Sequence, residues 1–214
     1  SLLLMAPLSG MAQDDSRYGD TPDQQLKCKE ALSVYKSYKK QKNYDEAYIQ
    51  WRKACDVCPE TASEGLYADG TTFVAKQLKA VEAEDARHAV LVDSLLYLHD
   101  KRMELYPSTK RSPNNRCVIL GRKATDFYKY NKTEHQAAYE MFKESLDCLQ
   151  GEASATTLYQ YYTASFYTMK RTMKGDTLAQ ANMRAQMLTD YLSLVDHVEA
   201  GMARATEAGK DRDL

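Results

Sequence analysis

The sequence has 214 residues, of which 43% are hydrophobic and 28% are charged, and its formal net charge is −1. These proportions are ordinary for a globular protein and exclude wholesale disorder, and the near-zero charge gives no overall field that would attract nucleic acid or an anionic membrane. Only 9 Gly and 5 Pro occur, which is too few turn signals for a many-stranded β fold.

The first twelve residues differ in composition from everything that follows. Residues 1–9 are uncharged and mostly apolar, and Gly10 and Ala12 place small residues three positions and one position before a cleavage site. This pattern predicts the remnant of a secretory signal peptide over residues 1–12, with a polar linker over residues 13–21. A short apolar helix of the mature protein is the alternative.

The same segment bears on where the protein is found. It lacks a basic start and an initiator Met, so we expect the sequence to begin inside its reading frame. Gln13, and not Cys, follows the cleavage site, which argues against the usual lipoprotein anchor. No other segment approaches the ~20 apolar residues of a membrane span. We therefore expect an exported protein with no transmembrane segment in its mature chain.

From Thr21 onward, apolar residues recur with helical period between helix-start signals. Thr21 suits the N-cap, Pro22 the first helical position, and Gln24 completes a capping box. We predict an all-α fold of about four antiparallel hairpins over residues 22–208, with a charged tail or truncation point over 209–214. The eight predicted helices cover about 22–41, 46–58, 61–80, 85–106, 113–130, 133–150, 155–174 and 177–208.

Within the first hairpin, four residues carry a recognisable spacing. Ala47, Trp51, Ala54 and Pro59 stand as in the second half of the tetratricopeptide repeat, a unit of about 34 residues, and the segment resembles that family. The small alanines would let two helices approach closely, Trp51 would fill the gap to the next hairpin, and Pro59 would stop the helix.

The resemblance extends to other parts of the chain with less detail. The first half of the repeat would begin at Cys28, although Tyr35 stands where the family prefers a small residue. In the hairpin over residues 117–150, Leu120, Ala124 and Phe127 fit the first helix of a repeat; the repeat positions of its second helix are held by Ala138, Phe142 and Ser145. The remaining hairpins match the repeat weakly.

This resemblance implies a right-handed solenoid like those of envelope tetratricopeptide proteins of Gram-negative bacteria, in the periplasm or at the outer membrane. It also implies a non-catalytic scaffold or adaptor that binds a protein or peptide on its repeat surface. The first helix of each hairpin would line the concave face, which could clamp acidic peptides. The basic residues predicted for that face are Lys29, Lys36, Lys39, Lys40, Arg122 and Lys129, with Lys170 and Arg171 as a continuation. A merely solvated lysine-rich face is the alternative.

The five cysteines lie at helix ends that neighbour one another in antiparallel hairpins. We predict a disulfide between Cys117 and Cys148, and a second between Cys28 and either Cys55 or Cys58. Inert buried thiols, or redox chemistry at the motif of Cys55 and Cys58, are the alternatives.

Two apolar patterns occur near the C-terminus. In the seventh helix we expect Leu158, Tyr162, Phe166 (or Ser165) and Met169 to enter the core, which leaves Tyr159, Tyr161 and Tyr167 for another face or a partner. In the eighth helix a continuous apolar stripe is expected to pack on the preceding hairpin. Its members are Ala181, Ala185, Leu188, Leu192, Val195 and Met202.

Catalytic signatures are missing from the sequence. It contains no phosphate-binding or dinucleotide-binding glycine motif, no zinc-protease helix and no nucleophile elbow. His88 and His99 could share one side of the fourth helix, but packing roles are expected for both. We therefore predict no catalytic residue, metal ligand or cofactor. The alternatives are a structural subunit of an outer-membrane assembly, an unrecognised enzyme, or the binding domain of a longer protein with a catalytic part elsewhere.

Overall fold

The computed structural model describes residues 15–149, 151–172 and 177–207. Within those residues every named element is a helix, which confirms the predicted all-α class. The predicted signal remnant and the charged tail lie outside the described residues. A short 3-10 helix (Ser16–Tyr18) precedes α1 (Pro22–Lys40), α2 (Tyr44–Val57), α3 (Glu64–Leu78), α4 (Ala86–Leu105), α5 (Asn115–Tyr130), α6 (His135–Leu149), α7 (Ala155–Thr172) and α8 (Thr177–Glu207).

The helix starts follow from local side-chain chemistry. Thr21 Oγ1 accepts from the Gln24 backbone N–H at 3.3 Å while Gln24 Oε1 accepts from the Thr21 N–H at 3.1 Å, which completes the predicted capping box. Asn43 caps α2 and Asp85 caps α4 through their side-chain oxygens. These caps satisfy backbone N–H groups that would otherwise lack a partner at each helix start.

The chain divides into two compact units, one up to Leu66 and one from Tyr67 onward. In the first unit, α1 and α2 pack against each other as a hairpin. Ala47, Trp51 and Ala54 of α2 are all buried. The indole N–H of Trp51 donates to the Leu66 carbonyl at 2.7 Å.

Helix α1 buries one side and exposes apolar residues on another. Cys28, Leu32 and Tyr35 are buried, whereas Leu26 and Val34 are 57% and 42% exposed. The disulfide from Cys28 to the end of α2 fixes the rotation of α1. Because Leu26 lies about 160° around the helix from Cys28, it then points away from α2.

In the second unit, α4 packs on α5, α5 on α6, α6 on α7 and α7 on α8. The core cluster joins three alanines to larger side chains. Its members are Ala124, Ala138, Phe142, Leu146, Tyr161 and Ala164. Gly121 allows α5 to approach α6, because a Cβ there would lie 2.8 Å from Ser145 Oγ. The same hydroxyl donates to the Cys117 carbonyl at 2.8 Å.

Candidate interaction surfaces

The predicted basic face of α1 is narrower than expected. At about 100° per residue, Lys29, Lys36 and Lys40 fall within about 40° of one another and form a basic stripe. Lys36 and Lys40 are exposed, and Lys29 pairs with the Asp15 carboxylate. Lys39 falls on the packed side of α1, in line with Cys28, and is not part of this stripe.

The other predicted basic residues belong to the second unit. Arg122 and Lys129 are both exposed on α5 and lie seven positions apart, so they share one side of that helix. The Lys129 ammonium lies 4.8 Å from the ring centroid of Tyr130, a cation–π contact. On α7, Lys170 and Arg171 are exposed, and the Arg171 guanidinium donates to the Thr133 carbonyl.

The cysteines pair between helix ends in both hairpins that were singled out. Cys28 bonds Cys58 with Cα atoms 4.8 Å apart, and Cys117 bonds Cys148 with Cα atoms 6.2 Å apart. Cys55 is exposed and free, and desolvation of its sulfur followed by the nearby Asp56 charge raises its pKa to about 11. A thiol that stays protonated at neutral pH is a poor nucleophile, and Cys58 is bonded to Cys28, so both observations disfavour redox chemistry at the Cys55 and Cys58 motif.

The exposed side of α7 corrects the sequence prediction. Tyr162 and Phe166, which were expected in the core, are 37% and 40% exposed, and Tyr159 is 72% exposed. At about 100° per residue these three rings lie within about 60° of one another, and we call them the aromatic face. Tyr161, by contrast, is buried.

The buried side of α7 explains this rotation. Asp190 of α8 is only 1% exposed, and its carboxylate accepts from Tyr139 Oη at 3.0 Å, Tyr161 Oη at 2.8 Å and Gln186 Nε2 at 2.9 Å. Ser165 Oγ also donates to it. A buried carboxylate needs several donors to offset its lost hydration. Helix α7 therefore turns its hydroxyl side inward and its other rings outward.

This Asp190 network changes the chemistry of its tyrosines. Desolvation, followed by the charge of Asp190, raises the pKa of Tyr139 to about 12. Desolvation and the hydrogen bond to Asp190 raise the pKa of Tyr161 further. Both phenols stay protonated and donate, so the network is a structural clamp between α6, α7 and α8. Sequence reasoning missed it, although Asp190 is the only charged residue in the stretch 185–195.

The predicted apolar stripe of α8 faces outward, and the prediction that it packs on the preceding hairpin is wrong. Ala181 and Ala185 are exposed, Leu188, Leu192 and Met202 are 61%, 54% and 49% exposed, and Val195 is partly exposed. We call these six residues the outer seam. The packed side carries Gln186, Asp190, Leu194 and His197. Hydrogen bonds from four donors offset the free energy lost when the Asp190 carboxylate is removed from water.

Two cavities and two buried or half-buried histidines lie in the second unit. A cavity of about 230 Å³ lies beside the Asp190 network, lined by Gln136, Tyr139, Ser165, Thr168, Met183 and Gln186. A second cavity of about 350 Å³, within the ~300–1,000 Å³ of typical ligand pockets, is lined by Leu146, Asp147, Ser193, Asp196, His197 and Ala200. His99 is buried with Nε2 2.8 Å from Asp126 Oδ2, and the ring of His88 lies 5.8 Å from that of Tyr130. Both histidines therefore pack on α5, and they lie about three turns apart along α4.

Over the described ranges, no group of three or more His, Cys, Asp or Glu residues could hold a metal ion. No helix in the same part of the chain combines the length and apolar character needed to span a membrane. Comparison with family models, curated proteins and solved structures finds no match to this chain.

Proposed function

We propose that this chain is a non-catalytic helical scaffold that binds a protein partner, with the aromatic face of α7 as its main contact. The observation that carries the proposal is the outward display of Tyr159, Tyr162 and Phe166 on one side of one helix. Tyr and Phe are enriched at protein interfaces because they bury a large area at low entropic cost. Three such rings together on the surface of one helix favour recognition.

The surroundings of the aromatic face suggest the chemistry of the partner. The Phe166 ring meets Tyr167 edge-on with centroids 5.4 Å apart, and Tyr167 stacks on His135 at 5.1 Å. Lys170 Nζ lies 6.0 Å from the Tyr167 ring. A fixed aromatic surface with a cation at its edge suits an apolar segment flanked by acidic residues.

The basic stripe of α1 is the second contact in this proposal. The stretch 31–44 contains four lysines and no acidic residue, so the end of α1 attracts anionic groups. Such a surface changes association rate and salt dependence more than it changes final affinity. We therefore assign it a steering role toward an acidic partner.

We also propose a family and a compartment for the scaffold. Two disulfides require an oxidising environment, and the predicted signal remnant implies export to such a compartment. Both support export to the periplasm or the outer membrane of a Gram-negative bacterium. Joint burial of Ala47, Trp51 and Ala54 supports a relationship to tetratricopeptide repeats. A structural subunit of an outer-membrane assembly is the second candidate, favoured by the apolar outer seam of α8.

The test is affinity capture from an envelope extract with the full chain and two variants. The first variant carries Tyr159→Ser, Tyr162→Ser and Phe166→Ser, and the second carries Lys36→Glu and Lys40→Glu. We expect the aromatic variant to lose the partner, because aromatic rings that become buried on binding provide most of the binding energy. The lysine variant should retain it at low salt with slower association.

Circular dichroism checks that both variants keep the parental helix content. Loss of the partner from the lysine variant alone would move the binding site to α1. Equal capture by all three proteins would overturn the proposal, because neither surface would then contribute to binding.

A further inference from the structure

We propose that the outer seam of α8 joins two copies of this chain, with the two α8 helices paired antiparallel. This inference goes beyond the scaffold function, because it uses a different helix and a different surface from the aromatic face. A homodimer of this kind would present two aromatic faces from one assembly.

The spacing of the outer seam is that of a helix-pairing surface. With Ala185, Leu192 and Glu199 at heptad position a, the d positions are Ala181, Leu188, Val195 and Met202. This repeat of 3.5 residues continues from 181 to 202. These positions are apolar except for Glu199, and apolar a and d positions over several turns favour a left-handed pairing of two helices.

The seam cannot be covered by its own unit. Asp190 and His197 anchor the opposite side of α8 through hydrogen bonds to α7 and to the Gly151 turn. At about 100° per residue, the seam is centred about 180° around the helix from these anchors. Rotating α8 to bury the seam would expose the Asp190 carboxylate and leave its three hydroxyl donors without their acceptor.

Charge along α8 favours a second copy in the antiparallel orientation. Arg184 is the only charged residue in the stretch 177–189, whereas the following stretch carries the exposed acids Asp196 and Glu199. Antiparallel pairing about residue 190 places Arg184 one turn from Glu199 of the second copy, whereas Asp196 lies on the other side of the seam from Arg184. Parallel pairing instead places Glu199 beside Glu199, and like charges repel across such a seam.

Side-chain size along the seam gives the same orientation. In the antiparallel register, Leu188 faces Leu192 of the second copy, and Ala185 faces Val195. Small residues therefore meet larger ones, and the layers fill evenly. Parallel pairing sets Ala181 on Ala181 and Ala185 on Ala185, which leaves two successive layers underfilled.

The available area is that of a standard interface. Tyr191 and Val198 border the seam and are 52% and 45% exposed, beside Leu188, Leu192 and Met202. These five side chains expose on the order of 500 Å², taking roughly 200 Å² for a fully exposed large side chain. The alanines and the charged residues along the same side bring the surface near the ~800 Å² per partner of a stable complex.

Sedimentation velocity of the full chain across the micromolar range is the first measurement. We expect a reversible dimer for the parent and a monomer for a variant with Leu188→Glu and Leu192→Glu. Val90→Glu is the matched control, because Val90 is an equally exposed apolar residue of α4 in the same unit, at 64%, and it should leave the dimer intact.

The orientation is tested by exchanging charge. Arg184→Glu should weaken the dimer, and adding Glu199→Lys should restore it. A monomeric parent, or a dimer that survives both leucine changes, overturns the proposal. If the parent is monomeric and the leucine variant instead loses the captured envelope partner, the occupant of the seam is a different protein. Failure of the charge rescue excludes the antiparallel arrangement.

Discussion

Asp190 illustrates how one buried side chain orients two helices. Its carboxylate is 1% exposed and takes hydrogen bonds from residues of α6, α7 and α8. Charged hydrogen bonds in a dry interior are strong, but losing the shared acceptor leaves every donor without a partner. The stability of the second unit should therefore depend more on Asp190 than on any exposed acid.

We predict that Asp190→Ala lowers the free energy of unfolding by about 3 kcal/mol or more. Asp190→Asn should lower the free energy of unfolding by less, because one side-chain carbonyl oxygen remains to accept hydrogen bonds. Glu207→Ala, at an exposed acid of the same helix outside the outer seam, is the control and should stay within about 0.5 kcal/mol of the parent. Urea unfolding followed by circular dichroism measures all three. Equal losses for Asp190→Ala and Glu207→Ala would show that the Asp190 network contributes no stability.

At the scale of single helices, much could be predicted from local pattern. Helix ends depend on neighbouring residues, so the capping box at Thr21 and the all-helical class could be derived from sequence. The burial of Ala47 and Trp51 followed from their repeat-like spacing. Chain order also limits which cysteines can meet, although it left two partners open for Cys28.

The faces of α7 and α8 could not be derived in this way. A prediction from apolar periodicity assumes that the more apolar side of a helix is buried. In α8 the buried side instead carries Asp190 and His197, while Leu188 faces outward. Only the tertiary contacts of Asp190 with Tyr139 and Tyr161 reveal this inversion, because its donors lie on other helices.

The docking of α8 should weaken in acid. Burial, followed by the charge of Arg204, lowers the pKa of His197 below its ordinary value of 6.5, against an opposing effect of Asp147 and Asp196. His197 Nδ1 accepts from the Gly151 N–H at 2.9 Å, and a protonated ring cannot accept that bond. The unfolded state therefore takes up the proton first, so stability is full above about pH 6.5 and falls as the pH drops through the folded-state pKa.

Hydrogen exchange of α8 peptides between about pH 7.5 and pH 5 measures this effect, after correction for intrinsic exchange. We expect the protection of the C-terminal half of α8 to decrease with falling pH. His197→Asn retains an acceptor that does not titrate, so its protection should vary less with pH. An identical pH profile in the parent and in His197→Asn would contradict the assignment.

At the scale of the whole molecule, each compact unit has one disulfide. The sequence separations are 30 for Cys28–Cys58 in the first unit and 31 for Cys117–Cys148 in the second. In the entropic account of disulfides, closing a loop of this length reduces the conformational entropy of the unfolded chain and so stabilises the folded state by roughly 3–4 kcal/mol. Because each bridge closes the ends of a single hairpin, its effect should be confined to its own unit.

Removing the bridges one at a time tests that division. The variant with Cys28→Ser and Cys58→Ser should lose exchange protection in α1 and α2, and the variant with Cys117→Ser and Cys148→Ser should lose it in α5 and α6. Each pair controls for the other, since the loops are nearly equal in length. Loss of protection throughout the chain from either pair would mean that the two units unfold together, and the bridges would then stabilise one cooperative structure.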